Sequence, residues 1–328
     1  MKQEFGLNYE QSIQDIEDNK ETDYILGGKK LPTEIIQPTG QWETPQVEFQ
    51  RRSLEPMACV SFSLLNCLEI LFEKKYGNKI NKSDRFLAKI SETTRSGNSF
   101  RKVAEAIRKK GAVKEEVWSY PDTTSWAEYY KVIPNSVFRK AEEWLQGYSF
   151  GYEWVYSWAG LSIAQKQQKL MEALQYSPLQ IPVYAWGRQK GGIYLDENRQ
   201  PNHGTTLYGY VAGKYWKIFD SYNNFYKKLE WNYNFRFAMR FNLLKINDNT
   251  MKLKLYKDWE TNTVYAKGDN AGDGLYHPIA SEDFILQFCN DWGDIYVKNL
   301  ERKLRKEEIG ATIGSFPTFL KYIINLFN

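Results

Sequence analysis

Near residue 176 the spacing of apolar side chains changes, and nothing else in the chain restricts its fold as strongly. Before that point apolar residues recur at helical intervals, as in Val60, Leu64, Cys67, Leu68 and Leu71, or Phe100, Val103, Ala104 and Ile107. After it, Gln180–Trp186, Gly204–Val211, Tyr215–Phe219 and Phe237–Leu243 are aromatic and β-branched runs separated by Gly or Asn turns. A helical half followed by an antiparallel-looking half predicts an α+β domain with partly segregated halves. A cleft between such halves is a natural place for a site.

The stretch Gln50–Glu69, QRRSLEPMACVSFSLLNCLE, reads as a Pro-containing loop opening into a helix that runs from Cys59 to about Lys75. Cys59 therefore sits at the helix start, where unpaired backbone N–H groups and the macrodipole favour an anion such as a thiolate. A short helix is expected over Ser83–Ile90. Another covers Phe100–Lys110, closed by Arg108, Lys109 and Lys110 and then Gly111. Val117–Pro121 reads as extended, and residues 136–176 as further amphipathic helix, notably Gln165–Leu174.

The chain's 328 residues allow one large domain and a smaller one. Residues 46–247 form the main domain, and 248–328 a small accessory domain. Turn signals crowd residues 1–45, which read as an extended arm packed on the surface of the main domain. The alternative is a segment lying in a cleft as a built-in inhibitor. The accessory domain should hold a hairpin at Val264–Ile279, a mixed-charge helix over about Asp294–Glu308 and an apolar helix, Phe316–Phe327. That last helix needs a docking partner, in its own chain or in an assembly.

The composition excludes several functions. Forty-four basic against forty acidic residues leave a net charge of +4, which demands no nucleic-acid partner. No run is long enough to span a membrane, and MKQEFGLNYEQSIQD lacks the apolar core of a secretory signal. Cys59 and Cys67, about 12 Å apart along one helix, cannot pair, and the third cysteine, Cys289, implies no framework. A reducing compartment fits best. Without HExxH, paired CxxC or a Gly-rich phosphate loop, no metal or cofactor is expected.

With only two histidines, the search for a general base is short. His203, in Asn202-His203-Gly204, stands just before a strand; His277 lies in the accessory region. Asp220 ends the strand after the one that His203 introduces, so antiparallel pairing could set its carboxylate against the imidazole.

These pieces resemble the papain-like cysteine peptidases over roughly residues 46–242. Cys59-Val-Ser-Phe-Ser63 looks like the family's nucleophile segment. Ser96-Gly97-Asn98-Ser99, then Ala104, Ile107, Gly111 and Ser119-Tyr120-Pro121, resemble its glycine loop, helix and Tyr-Pro element. Gly191-Gly-Ile-Tyr194, Asn202-His203-Gly204, Leu207-Tyr-Gly-Tyr210 and Tyr215-Trp-Lys-Ile-Phe-Asp-Ser-Tyr222 come next, in the family's order.

The resemblance implies that Cys59 is the nucleophile, His203 its base and Asp220 the group that orients His203, in place of the family's usual asparagine. Gln50 would donate to the oxyanion beside the Cys59 backbone N–H. Gly97, Asn98, Asn202 and Tyr222 would contact a protein or peptide substrate. Val60 and Tyr222 replace two usual tryptophans, and the family's long propeptide and disulfides are missing, which points to an intracellular, cytoplasmic or virion-associated, phage-type relative. The expected function is peptide or isopeptide hydrolysis through a thioester. The alternatives are another thiol acyl-transfer enzyme, transglutaminase-like or a cell-wall amidase, and a catalytically inactive structural or binding module, for example in a virion.

Overall fold

The computed structural model describes residues 5–20, 22–23, 25–26, 34–121, 125–156 and 160–246, and the backbone of four short strands beyond them. The chain divides into two compact units, Met1–Lys245 and Ile246–Asn328. The first is α+β, as the change of period predicts.

Helix α2 (Cys59–Tyr76) is its centre. Every residue from Cys59 to Phe72 is buried, so this helix is covered on all sides rather than on the one face its periodicity suggests. Each fully buried Leu, Ile, Val or Phe contributes roughly 1.5–3 kcal/mol, so α2 anchors the unit. It ends at Gly77, whose φ of 72° suits a residue without Cβ.

Around α2 stand α3 (Asp84–Ile90), capped by Ser83, and α4 (Phe100–Lys110), capped by Ser99. The short α5 (Trp126–Tyr129) and α6 (Asn135–Gly147) come next, and α7 (Ile163–Ala173) opens with a capping box of Ser162 and Gln165. The arm holds a helix the sequence reading lacks: α1 (Tyr9–Asp18), capped by Asn8.

The strands are β1 (Tyr148–Tyr156), β2 (Leu179–Val183), β3 (Gln189–Lys190), β4 (Ile193–Tyr194), β5 (His203–Val211), β6 (Tyr215–Phe219), β7 (Tyr226–Glu230) and β8 (Ala238–Lys245). They form one sheet in the order β1-β8-β2-β5-β6-β7-β4-β3. All pairs are antiparallel except β4 with β7. The helical material expected within 136–176 is present as α6 and α7, and β1, which is not expected, lies between them. Tyr148, Tyr152, Trp154 and Tyr156 favour an extended backbone, and pairing with β8 completes it.

In the second unit, β9 (Lys254–Lys257), β10 (Val264–Lys267), β11 (Tyr276–Pro278) and β12 (Tyr296–Asn299) form a sheet ordered β11-β10-β9-β12. Tyr296–Asn299 is thus a strand parallel to β9, where a helix is expected from about Asp294; Tyr296 and Val297 suit a strand, and pairing outweighs the charge pattern. The expected helix Phe316–Phe327 lies outside the described residues. Among those residues no helix is long and apolar enough to cross a membrane, and no cluster of His, Cys, Asp or Glu is arranged to hold a metal.

Candidate active site

Cys59 is the first residue of α2, reached through Met57, which holds a positive φ of 56°. Such a conformation costs a β-carbon-bearing residue about 1 kcal/mol, and Glu55 supports it by accepting the Met57 N–H at 3.0 Å. Polar ties hold the helix start to the sheet. Gln180 of β2 donates to Val60 O at 2.7 Å and to Ser63 Oγ at 2.8 Å, and Thr206 of β5 donates to Ser63 O at 3.1 Å. This docking puts Cys59 Sγ 3.4 Å from the Gly204 N–H, next to His203.

His203 opens β5 and Asp220 follows β6, its antiparallel neighbour. The pairing brings His203 Nε2 to 2.7 Å from Asp220 Oδ1, with both side chains buried. Among the described residues Nδ1 is buried without a hydrogen bond of ordinary geometry, yet Cys59 stands close enough to act on the ring both as a charge and as an acceptor. Burial alone would drive the imidazole neutral. Asp220 first, and Cys59 after it, outweigh burial and push the pKa up to about 10. Asp220 is itself opposed by burial, yet His203 and Lys227 hold its carboxyl below the usual range. Its Oδ1 also accepts the Ser221 N–H at 2.8 Å, and Lys227 Nζ donates to Oδ2 at 2.8 Å.

Gln50 is buried beside these groups, but its amide hydrogens are already placed. Nε2 donates to Glu55 Oε1 and to Tyr222 Oη, both at 2.8 Å, while Oε1 accepts from Ser221 Oγ at 3.2 Å. In this arrangement the Gln50 amide stabilises the loop before Cys59 rather than offering a hydrogen to an oxyanion. The Tyr222 hydroxyl donates to Glu55 Oε2 at 2.6 Å, and its ring stands edge-on to His203 at 5.2 Å. Tyr222 thus screens the imidazole.

The remaining expected contacts, Gly97, Asn98 and Asn202, are engaged by the chain's own arm. The Asn98 N–H donates to Gly6 O at 2.9 Å, the Asn8 N–H to Asn98 O at 2.9 Å, and the Leu7 N–H to Asn202 O at 3.2 Å. Leu7 pairs with Asn98 in parallel. Phe5 lies on the His203 ring at 5.0 Å and on Tyr222 at 5.3 Å. A Cβ on Gly6 would stand 2.0 Å from Met57 O, and one on Gly97 would stand 2.0 Å from Gly6 O. Phe5–Asn8 therefore lie against the residues expected to contact a substrate, while the later described part of the arm packs on α4, β1 and the end of α7.

Lys227, Glu55 and Phe5 escape the sequence reading. Lys227 carries a signal: alternation in Tyr226-Lys-Lys-Leu-Glu230 puts it on the same face as Leu229, and that face is buried. Glu55 and Phe5 lie in irregular segments whose periodicity says nothing.

The sequence matches no family model and no curated protein. Among solved structures the chain is distantly similar to digestive procathepsin L 3 of Tenebrio molitor larval midgut, with 14% identity, 71% of this chain and 86% of that one covered, and a TM-score of 0.44. The structure on cross-reactivity between the mite allergens Blo t 1 and Der p 1 gives 15% identity, 72% and 78% covered, and 0.47. The bromelain protease of Ananas comosus, in complex with the E64 inhibitor, gives 17% identity, 60% and 93% covered, and 0.42.

Proposed function

We propose that this chain is a cysteine peptidase of papain-like type, in which Cys59, His203 and Asp220 cleave a peptide or isopeptide bond. The observation that carries the reading is the convergence of Cys59 Sγ, 3.4 Å from Gly204 N, with the buried His203–Asp220 pair at 2.7 Å. The Cys59 thiolate attacks the carbonyl carbon. The oxyanion that forms meets the Cys59 backbone N–H, one of the donors an α-helix leaves unpaired at its start. The imidazolium of His203 gives its proton to the departing amine, and the C–N bond breaks to leave a thioester. Neutral His203 then takes a proton from water, the hydroxide displaces the thiolate, and an acid product leaves.

In this reading the groove is held shut by the arm, which lies in the non-productive direction. A leaving amine belongs to the C-terminal part of a substrate and must face His203. In the arm the more N-terminal residue, Phe5, faces His203, and Gly6–Asn8 run on along Asn98. An occupant laid backwards offers no correctly aimed leaving group.

The test is a thiol-reactive epoxide together with a mixed peptide library, applied to Gly6→Ala, in which the added Cβ crowds Met57 O and displaces the arm, and to Gly6→Ala/Cys59→Ala. Labelling at Cys59 and peptide cleavage are expected in the first and absent from the second. Labelling spread equally over Cys67 and Cys289 argues against an activated Cys59. A labelled Cys59 with no peptide cleaved favours the inactive module, a second reading that the occupied Gln50 amide supports.

A further inference from the structure

Lys227 is an odd residue to bury. Its neighbours on the strand, Tyr226 and Lys228, face solvent, whereas Lys227 is 4% exposed. A buried ammonium is costly unless paired and hydrogen-bonded. Here its three hydrogens are all placed: Nζ donates to Asp220 Oδ2 at 2.8 Å, to Asn223 O at 3.2 Å and to Asn224 O at 2.6 Å. It also stands 4.9 Å from the centre of the Trp186 ring, which meets His203 edge-on at 5.9 Å. Lys227 is thus fixed to the turn between β6 and β7, directly behind the carboxylate.

Resting on the thiol–imidazole reading above, we propose that Lys227 is a positioning residue of the triad. Its ammonium fixes the carboxylate so that Oδ1 faces His203, and it offsets the carboxylate's charge. Lys227 thus weakens the pull of the carboxylate on the imidazolium without cancelling it. Without Lys227, Oδ2 is a buried, unpaired oxygen, and the full negative charge falls on His203. The ring then holds its proton too tightly to hand it to a departing amine. The other groups at the imidazole are Cys59 from α2 and the rings of Phe5, Trp186 and Tyr222; Glu55 acts through the Tyr222 hydroxyl.

The chain's two histidines make this measurable in the intact protein, because His277→Gln assigns the ring signals by NMR. Lys227→Met should raise the midpoint at which His203 loses its proton by about one pH unit, a tenfold change in proton affinity. Lys227→Arg, which keeps the charge, should stay near wild type. Asp220→Asn should lower the midpoint, and Asp220→Asn/Lys227→Met should fall between the two single variants. An unmoved midpoint in Lys227→Met, or an equal shift in Lys227→Arg, overturns the proposal. If Lys227→Met does not fold, Asp220→Asn against the double variant decides: the double must titrate higher, and equal midpoints overturn the proposal. None of these readings needs peptide cleavage, so failure of the peptidase reading shows separately.

Discussion

His203 keeps its proton to an unusually high pH, and that links the site to stability. Its pKa rises from 6.5 to about 10 in the folded chain, so the imidazolium stabilises the fold fully below the unfolded value. That stabilisation is lost as pH rises through about 10. Wild type should therefore lose more stability between pH 6 and pH 10 than His203→Gln, as read from urea midpoints at both pH values. Equal losses would mean that His203 is not charged in the folded protein. The three residues of this centre are legible in the sequence because each stands at an element boundary that the pattern marks: a helix start for Cys59, and strand ends for His203 and Asp220. Lys227 is not, because a lysine in a charged strand reads as solvent-facing until the buried side of that strand is known. Gln50 stands out in the sequence, but its partners Glu55 and Tyr222 come from loops whose meeting no local pattern encodes.

At the scale of elements, α4 is legible because its Ser99 cap, basic last turn and apolar spacing agree, whereas α2, which starts without a side-chain cap, is legible from its apolar spacing. β1 is not, since its stability comes from β8, which lies far along the chain. The junction of α2 and α3 hides a carboxylate cluster that no sequence pattern brings together. Glu69 of α2 and Asp84 of α3 are buried with Glu48 and Glu115 acting on them, and burial raises both of their pKa values well above the ordinary range. Burial likewise pushes Glu115 up to about 7, while Lys82, buried beside Glu69, falls to about 8. Glu48 adds to the rise at Asp84 by favouring its protonated form, which can donate where the carboxylate cannot. A carboxyl raised in the fold binds its proton more tightly there than in the unfolded chain. Stability therefore falls as pH climbs above the unfolded value of 3.8. Asp84→Asn keeps the donor without the titration. It should match wild type near pH 4 and exceed it at pH 8 by about 1–2 kcal/mol, measured by urea unfolding. A loss of stability at pH 8 would show that Asp84 is needed as an anion.

Within the first unit, the described residues of the arm beyond the site are anchored at Asp23, Leu26 and Trp42. Arg101 of α4 forms a bidentate pair with Asp23 at 2.8 and 3.1 Å, Trp42 Nε1 donates to Leu174 O at 2.8 Å, and the Leu26 N–H donates to Trp154 O at 2.8 Å. Among the described residues of the arm, Phe5–Asn8 meet His203, Asn98 and Asn202, and their weakest point is steric: Gly6 passes so close to Met57 that no side chain fits. Adding a methyl there should eject Phe5–Asn8 while the downstream anchors hold. Gly213, with φ +72° and nothing within 4 Å of an added Cβ, supplies the control, because Gly213→Ala strains the backbone without touching the arm. Gly6→Ala should speed alkylation of Cys59 by about tenfold or more, the effect of weakening a closed state by about 1.4 kcal/mol. Gly213→Ala should leave the rate unchanged. Peptide mapping separates Cys59 from Cys67, which is buried in α2 with its thiol pKa pushed up. If Gly6→Ala alkylates at the wild-type rate, the arm is not what limits access to the sulfur; if both glycine variants accelerate alike, general loosening of the fold opens the site.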